Sequence, residues 1–200
     1  MITALDKQTA LVLIDLQTGI VGMNLTQPAA TVVSNSAKLV SAFRKENLPI
    51  IFVTVNPFGS AWIGTRTESP GLPSAPEAQR QALEAMTASG FFNLVPELGV
   101  TPEDIHVVKN TWSAFPSTSL HDLLQTRGVT GIVLAGISTS IGVEGTARDA
   151  SVKGYNITFV KDAMADTIKD AEEHSLKNIF PRIGELDDTD SIISYLSRRK

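Results

Sequence analysis

Apolar runs alternate along the chain with segments whose hydrophobic residues recur at helical spacing. The apolar runs, typical of strands covered on both faces, span residues 9–16, 49–56, 105–109, 132–136 and 155–161. The segments with helical spacing or helix-like boundaries span residues 29–47, 78–88, 118–127, 170–180 and 191–198. Because strands and helices alternate, the pattern predicts a three-layer, doubly wound α/β fold. Its mainly parallel sheet has helices on both faces.

The stretch of residues 135–150 has the pattern of a buried strand that turns into a helix. A helix begins with backbone N–H groups that have no partner within the helix, and they point at whatever lies in front of them. The small polar turn from Ile137 to Gly142 is therefore a candidate pocket for an anion or a developing oxyanion.

Polar residues end several of the predicted strands. Asp15, Asn56 and Lys109 each lie at such an end, and in open α/β sheets ligands bind outside the carboxyl ends of the strands. We expect Asp15 and Lys109 to face each other from neighbouring strand ends. Two interpretations stay open for them, a structural ion pair and a catalytic pair.

Residues 57–75 form a long loop rich in glycine, proline, serine and threonine, of the kind that lines a site or moves. Trp62 and Arg66 lie within it. After the third predicted strand come Trp112 and Phe115, which are candidates for an aromatic wall, with core packing as the equal alternative.

Two hundred residues with 42% hydrophobic content are enough for one sizeable core, so we expect a single domain over residues 1–200. The net charge of -4 argues against binding of nucleic acid, which needs a clustered basic surface. No apolar stretch reaches the roughly 18 residues of a membrane span, and no secretory signal is recognisable. We therefore expect a cytoplasmic protein with no membrane partner.

The absence of cysteine excludes a thiol nucleophile and a thiolate metal site. Residues 136–140, GISTS, approach a serine nucleophile elbow, but a serine has replaced its second glycine. A serine hydrolase using Ser138 or Ser140 would need His174, the only histidine downstream. Histidines with metal-ligand spacing and nucleotide-binding glycine motifs are missing, so we expect no metal and no cofactor.

Three ordered motifs resemble the isochorismatase-like hydrolases, whose fold is Rossmann-like. They are IDLQ at 14–17, VKNTWSAF at 108–115 and GISTSIGVEGTAR at 136–148, and the resemblance runs from about residue 9 to residue 167. Most members, such as nicotinamidases and carbamoylsarcosine amidases, use an Asp, a Lys and a Cys. The resemblance assigns the first two to Asp15 and Lys109 and places Gly142 at the cysteine position.

Without a thiol, a thioester intermediate cannot form at Gly142. The true isochorismatases are similar in having glycine there, and they cleave an enol ether. The resemblance thus implies that Asp15 protonates the methylene carbon of isochorismate or a related small carboxylate, and that water then attacks. Lys109 should lower the pKa of Asp15, whereas burial should raise it.

The resemblance also implies the surroundings of the substrate. The expected substrate-binding residues are Gln17, Asn56, Arg66, Trp112, Ile137, Ser138 and Ile141, with Arg66 on the substrate carboxylate. It implies a cis peptide between Ile137 and Ser138, no metal, and assembly as a homodimer or homotetramer. An alternative remains, in which the protein is a thiol-less relic of an amidase that binds a small metabolite without turnover.

Overall fold

Six parallel strands form one sheet in the computed structural model, which describes residues 2–68 and 71–198. The strands are β1 (Thr9–Ile14), β2 (Ile50–Val55), β3 (Ile105–Lys109), β4 (Gly131–Ile137), β5 (Asn156–Ala165) and β6 (Glu185–Asp187). Their order across the sheet is β3-β2-β1-β4-β5-β6, and all neighbouring pairs are parallel. The predicted α/β class is confirmed.

Helices cover both faces of this sheet. They are α1 (Thr18–Val21), α2 (Ala29–Lys45), α3 (Pro76–Ala88), α4 (Leu120–Thr126), α5 (Glu144–Val152), α6 (Lys169–His174), α7 (Phe180–Ile183) and α8 (Thr189–Ser197). Helices α2 and α8 pack together, as do α5 and α7. The crossover through α2 runs from β1 to β2 and the one through α5 runs from β4 to β5, in opposite directions along the sheet. Right-handed crossovers therefore place α2 and α5 on opposite faces.

The centre of the core is formed by β1 and β4, in which every residue is buried. A strand between two helical layers has no polar face, which explains the continuous apolar runs in the sequence. Chain connections leave β1 and β4 in opposite directions, so a crevice opens beyond their carboxyl ends.

The outer strands differ from the prediction. On the edge strand β3, Val107 and Lys109 are buried whereas Val108 is 56% exposed, so only one face is covered. The other edge strand, β6, was not predicted, because three residues are too few to show a period. Strand β5 continues to Ala165 instead of ending at residue 161.

The predicted helix over residues 170–180 is present, but it is not α-helical throughout. Helix α6 ends at His174, a π-helical turn spans Ser175–Ile179, and α7 continues from Phe180 with Pro181 in its first turn. Proline has no N–H to bond to a carbonyl of the preceding turn, so it interrupts regular α-helical hydrogen bonding. No helix within the described residues is long and apolar enough to cross a membrane.

Candidate active site

A buried ion pair lies at the carboxyl edge of the sheet. Asp15 follows β1 directly and has a φ of 53°, and Lys109 is the last residue of β3. The Lys109 Nζ atom lies 2.7 Å from Oδ2 of Asp15, and the two side chains are 2% and 6% exposed. The Nζ atom also donates a hydrogen bond to the carbonyl oxygen of Thr111 at 3.0 Å.

The prediction that Asp15 and Lys109 occupy neighbouring strand ends is wrong. Strand β2 lies between β1 and β3 in the sheet. Two strand spacings amount to roughly 10 Å, so contact requires a long side chain on the covered face of β3. Lysine has a flexible four-carbon stem, and it reaches Asp15 from that position.

Burial dominates the electrostatics of Asp15. It raises the pKa of the carboxyl group to about 6, although the charge and hydrogen bond of Lys109 act in the opposite direction. Oδ2 is held by Lys109, whereas Oδ1 is buried and has no hydrogen-bond partner within the described chain. The carboxyl group therefore has one fixed oxygen and one that can carry a proton.

The turn after β4 lies against this carboxyl group. The peptide between Ile137 and Ser138 is cis, as expected, and a π-helical turn spans Thr139–Val143. A Cβ atom added to Gly142 would lie 3.2 Å from Oδ2 of Asp15 and 2.8 Å from Cγ2 of Ile14. The structure thus brings Asp15, Lys109 and Gly142 together, and the absence of a side chain at Gly142 allows this close approach.

Hydrogen bonds from outside fix the turn. The buried Asp166, at the end of β5, accepts the N–H of Ser140 at 2.7 Å, and Thr146 donates its hydroxyl to the carbonyl of Gly142 at 2.7 Å. Thr139 donates its hydroxyl to Glu172 at 3.2 Å. Asp166 was not predicted as a site residue, because the predicted strand ended at residue 161. The apolar run Ala163–Ala165 followed by an acid is the signal that indicates it.

Gln17 is bound differently from the prediction. Its side chain is inaccessible to solvent, and Oε1 accepts the N–H of Val55 at 2.7 Å. Its Nε2 donates to the carbonyl oxygens of Val55 and Phe92, each at 3.2 Å. The amide therefore joins the segment after β1 to the end of β2 and to a loop, and all of its polar atoms are engaged there.

The remaining predicted substrate-binding residues differ in exposure. Ile137 is buried, Ser138 and Asn56 are half-buried, and Ile141 is 36% exposed. The Asn56 Oδ1 atom accepts the N–H of Phe58 at 3.2 Å. Arg66 is exposed in its loop, and its side chain forms no hydrogen bond or ion pair within residues 2–68 and 71–198.

The two tryptophans share a cleft. Trp62 and Trp112 line it together with Leu72, its volume is about 340 Å³, and Trp112 is 50% exposed. Helix α5 lies close to Trp112. A Cβ atom added to Gly145 would be only 3.3 Å from the Cβ atom of this tryptophan. Phe115 instead is buried and stacks on Tyr155, so core packing is the correct alternative for it.

The serine-hydrolase alternative lacks its base in this geometry. His174 contacts Asn178 on its own helical segment, and in the part of the chain that the structure describes no histidine is hydrogen-bonded to Ser138 or Ser140. Nor do three His, Cys, Asp or Glu side chains of the described residues come close enough together to hold a metal ion.

Comparison with known proteins supports the family suggested by the motifs. The isochorismatase domain model matches residues 9–191, so the chain belongs to the isochorismatase family of hydrolases. It is 40% identical to the uncharacterized isochorismatase family protein YwoC of Bacillus subtilis, over 95% of each chain. It is 27% identical to a ureidoacrylate amidohydrolase of Agrobacterium fabrum, over 96% of this chain and 93% of that one.

A solved structure has the same fold. The isochorismatase family protein from Burkholderia thailandensis superposes with a TM-score of 0.85 and 36% identity, covering 97% of this chain and 98% of that one. The family and the fold are therefore established, whereas the roles of individual site residues, including glycine at the cysteine position, stay predictions.

Proposed function

We propose that this isochorismatase-family hydrolase cleaves an enol (vinyl) ether of a small carboxylate, isochorismate or a related compound. Asp15 acts as the general acid and water as the nucleophile. One observation carries the proposal: Oδ1 of Asp15 is buried and has no hydrogen-bond partner among the described residues, and the pKa of its carboxyl group is raised to about 6. A general acid must be able to hold a proton near the working pH, and a pKa of about 6 allows this.

Lys109 fixes the carboxyl group through one of its oxygens. It holds Oδ2 at 2.7 Å, so a proton taken up by Asp15 would reside on Oδ1. With a pKa of about 6, roughly a tenth of the molecules are protonated at pH 7. A substrate carboxylate that attracts Lys109 would weaken its pull on Asp15 and raise this fraction further.

The reaction balances without a protein nucleophile. Asp15 transfers its proton to the terminal methylene carbon, and the former double-bond electrons form the new C–H bond. The adjacent carbon becomes an oxocarbenium ion stabilised by the ether oxygen. Water adds to that carbon and returns a proton to the Asp15 carboxylate. The resulting hemiketal collapses to pyruvate and the ring alcohol.

The nucleophile in this proposal is water rather than a thiolate. The chain has no cysteine, and Gly142 presents no side chain toward Asp15. Amide hydrolysis through a thioester needs a thiol nucleophile, so the activity named for the A. fabrum relative is not proposed for this chain. Trp112 and Ile141 at the rim would contact the carbon skeleton, and Arg66 would meet the substrate carboxylate.

Three further features belong to the same proposal. Gly142 and the half-buried Ser138 would provide space and polar contacts beside the reacting carbon.

The protein would act as a homodimer or homotetramer, which light scattering after size-exclusion chromatography tests. It would act in the cytoplasm, which fractionation of the native host tests.

The test compares the wild type with Asp15→Asn on isochorismate, chorismate and simple amides, with products identified by mass spectrometry. In deuterated water the wild type should release pyruvate that carries one deuterium in its methyl group. Asp15→Asn should lose about 10²–10⁴-fold in kcat/KM, which is what a positioned acid contributes. Asp122→Asn, an exposed change on α4, serves as the control.

Each contrary result points to a different error. Full turnover by Asp15→Asn would reject the acid. Binding of isochorismate without any product would indicate the thiol-less relic. Covalent labelling by a fluorophosphonate would indicate a serine hydrolase.

A further inference from the structure

We propose that Asp166 is a positioning residue whose carboxylate holds the turn Thr139–Val143 over Asp15 and so limits the access of bulk water to the general acid. This inference rests on the proposed function. Asp166 follows β5 and is fully buried, and its Oδ2 accepts the N–H of Ser140 at 2.7 Å.

The same carboxylate is anchored on the opposite side. Its Oδ1 accepts the N–H groups of Thr167 and Ile168 at 2.8 and 3.1 Å. The backbone of Asp166 exchanges two hydrogen bonds with Thr26, of 2.8 Å to the carbonyl and 3.0 Å to the threonine hydroxyl. No ion pair in the described chain involves Asp166, so backbone N–H groups are what stabilise its side chain in the interior.

The hydrogen bond between Asp166 and Ser140 affects the carboxyl group of Asp15 through Gly142. This glycine follows Ser140 by two residues and lies close to Asp15 and Ile14. Lys109 is the charged side chain that faces Asp15, and Glu172 faces Thr139 of the turn. If Ser140 is released, the turn can move away from Oδ2 and water can reach the carboxyl group. The environment would become more polar and the carboxyl group would lose its proton more readily.

Asp166→Asn separates this role from general folding. The amide oxygen can still accept the N–H groups of Thr167 and Ile168, so the local turn is retained. The amide nitrogen then faces the N–H of Ser140, and two donors cannot bond to each other. The matched control is Thr26→Val, which removes the hydroxyl acceptor of the Asp166 N–H but does not contact the turn.

The measurement needs no substrate: the Asp15 carboxyl carbon of the ligand-free protein is titrated by NMR, with Asp15→Asn for assignment. Asp166→Asn should lower the midpoint by about one pH unit, because a partial loss of desolvation reduces the upward shift of the Asp15 pKa. In a separate assay with substrate, kcat should fall by about tenfold. Thr26→Val should lower the melting temperature but leave the midpoint in place.

An unchanged Asp15 midpoint in a folded Asp166→Asn protein would overturn the proposal and leave Asp166 with a structural role. If that variant does not fold, Ser140→Pro removes the donor itself near the start of a helical turn, where proline is tolerated, and should give the same downward shift. Because the titration is independent of turnover, a failure of the enol-ether assignment would appear only as missing product.

Discussion

Asp15 and Asp166 are both buried aspartates at the carboxyl ends of strands, yet their surroundings differ. Asp166 receives three backbone N–H groups, which satisfy both of its oxygens. Asp15 receives one cation on Oδ2, and its Oδ1 has no partner within the described residues. Burial raises the pKa of a carboxyl group that lacks a donor on one oxygen, as it does for Asp15. The hydrogen-bond count thus distinguishes the proposed anchor from the proposed acid.

Removal of Lys109 should have the largest effect on the difference between Asp15 and Asp166. Lys109→Met leaves Asp15 buried without a cation, and loss of one partner of a buried ion pair costs about 3–5 kcal/mol. The pKa of Asp15 should rise further, because Lys109 lowers it in the wild type. The deficit should therefore be largest at pH 8 and shrink at pH 5, where Asp15 becomes neutral.

Urea unfolding at pH 5 and pH 8 measures this difference. Lys161→Met is the control, because Lys161 lies 3.9 Å from Asp188 and its side chain is 52% exposed. Exposed pairs of this kind contribute about 0–1 kcal/mol. An equal deficit for Lys109→Met at both pH values would show that Asp15 does not titrate in the folded protein.

The wild type should show the acid character of Asp15 in its pH dependence. A pKa raised from 3.8 to about 6 means that the folded state prefers the protonated form. The corresponding stabilisation is complete below pH 3.8, is lost as the pH rises through about 6, and amounts to about 3 kcal/mol. The log of kcat/KM should likewise fall above pH 6, and a flat profile from acid to alkaline pH would contradict general-acid catalysis.

Gly142→Ala should have an intermediate effect, because no room for a side chain remains beside Asp15. The new Cβ would lie 2.8 Å from Cγ2 of Ile14 and 3.2 Å from Oδ2 of Asp15. Overpacking of this kind costs about 1–3 kcal/mol, and the resulting shift of the Asp15 carboxyl group should lower kcat about tenfold. Gly64→Ala is the control, since an added Cβ there meets nothing within 4 Å. Unchanged kcat would show that the position of the acid does not depend on this close approach.

The apolar pattern predicted the sheet and the position of Asp15 at a strand end, because both depend on local sequence. Buried strands such as β1 are continuous apolar runs, and Asp15 marks the end of one. The order of strands is a tertiary property, which is why the position of β2 between Asp15 and Lys109 was not foreseen. The role of Asp166 was not predicted, because its partner is the backbone N–H of Ser140. Every residue except proline has such a group, so the sequence does not mark this one.

Gln17 shows the opposite case. The family resemblance implied a contact with substrate, whereas in the structure its amide pairs with the backbone of Val55 and Phe92. A polar residue at a strand end can serve the fold as readily as a ligand. Such a residue pairs with the backbone where unpaired backbone groups lie within its reach, and it is free to bind a ligand where they do not. Only the folded structure locates those backbone groups.

The smallest effect is expected from the second contact that holds the turn. Thr139→Val removes the hydroxyl that donates to Glu172 at 3.2 Å, while the Asp166–Ser140 bond remains. A hydrogen bond of this kind is worth about 1 kcal/mol, and we expect kcat to stay within about twofold of the wild type. Thr130→Val is the matched control, because it removes a hydroxyl bonded to Asp6 just before β4, at the other end of the sheet. Unfolding curves and the NMR midpoint of Asp15 provide the comparison. If Thr139→Val lowers that midpoint as much as Asp166→Asn does, the turn is held by all of its contacts together, and Asp166 is not its principal anchor.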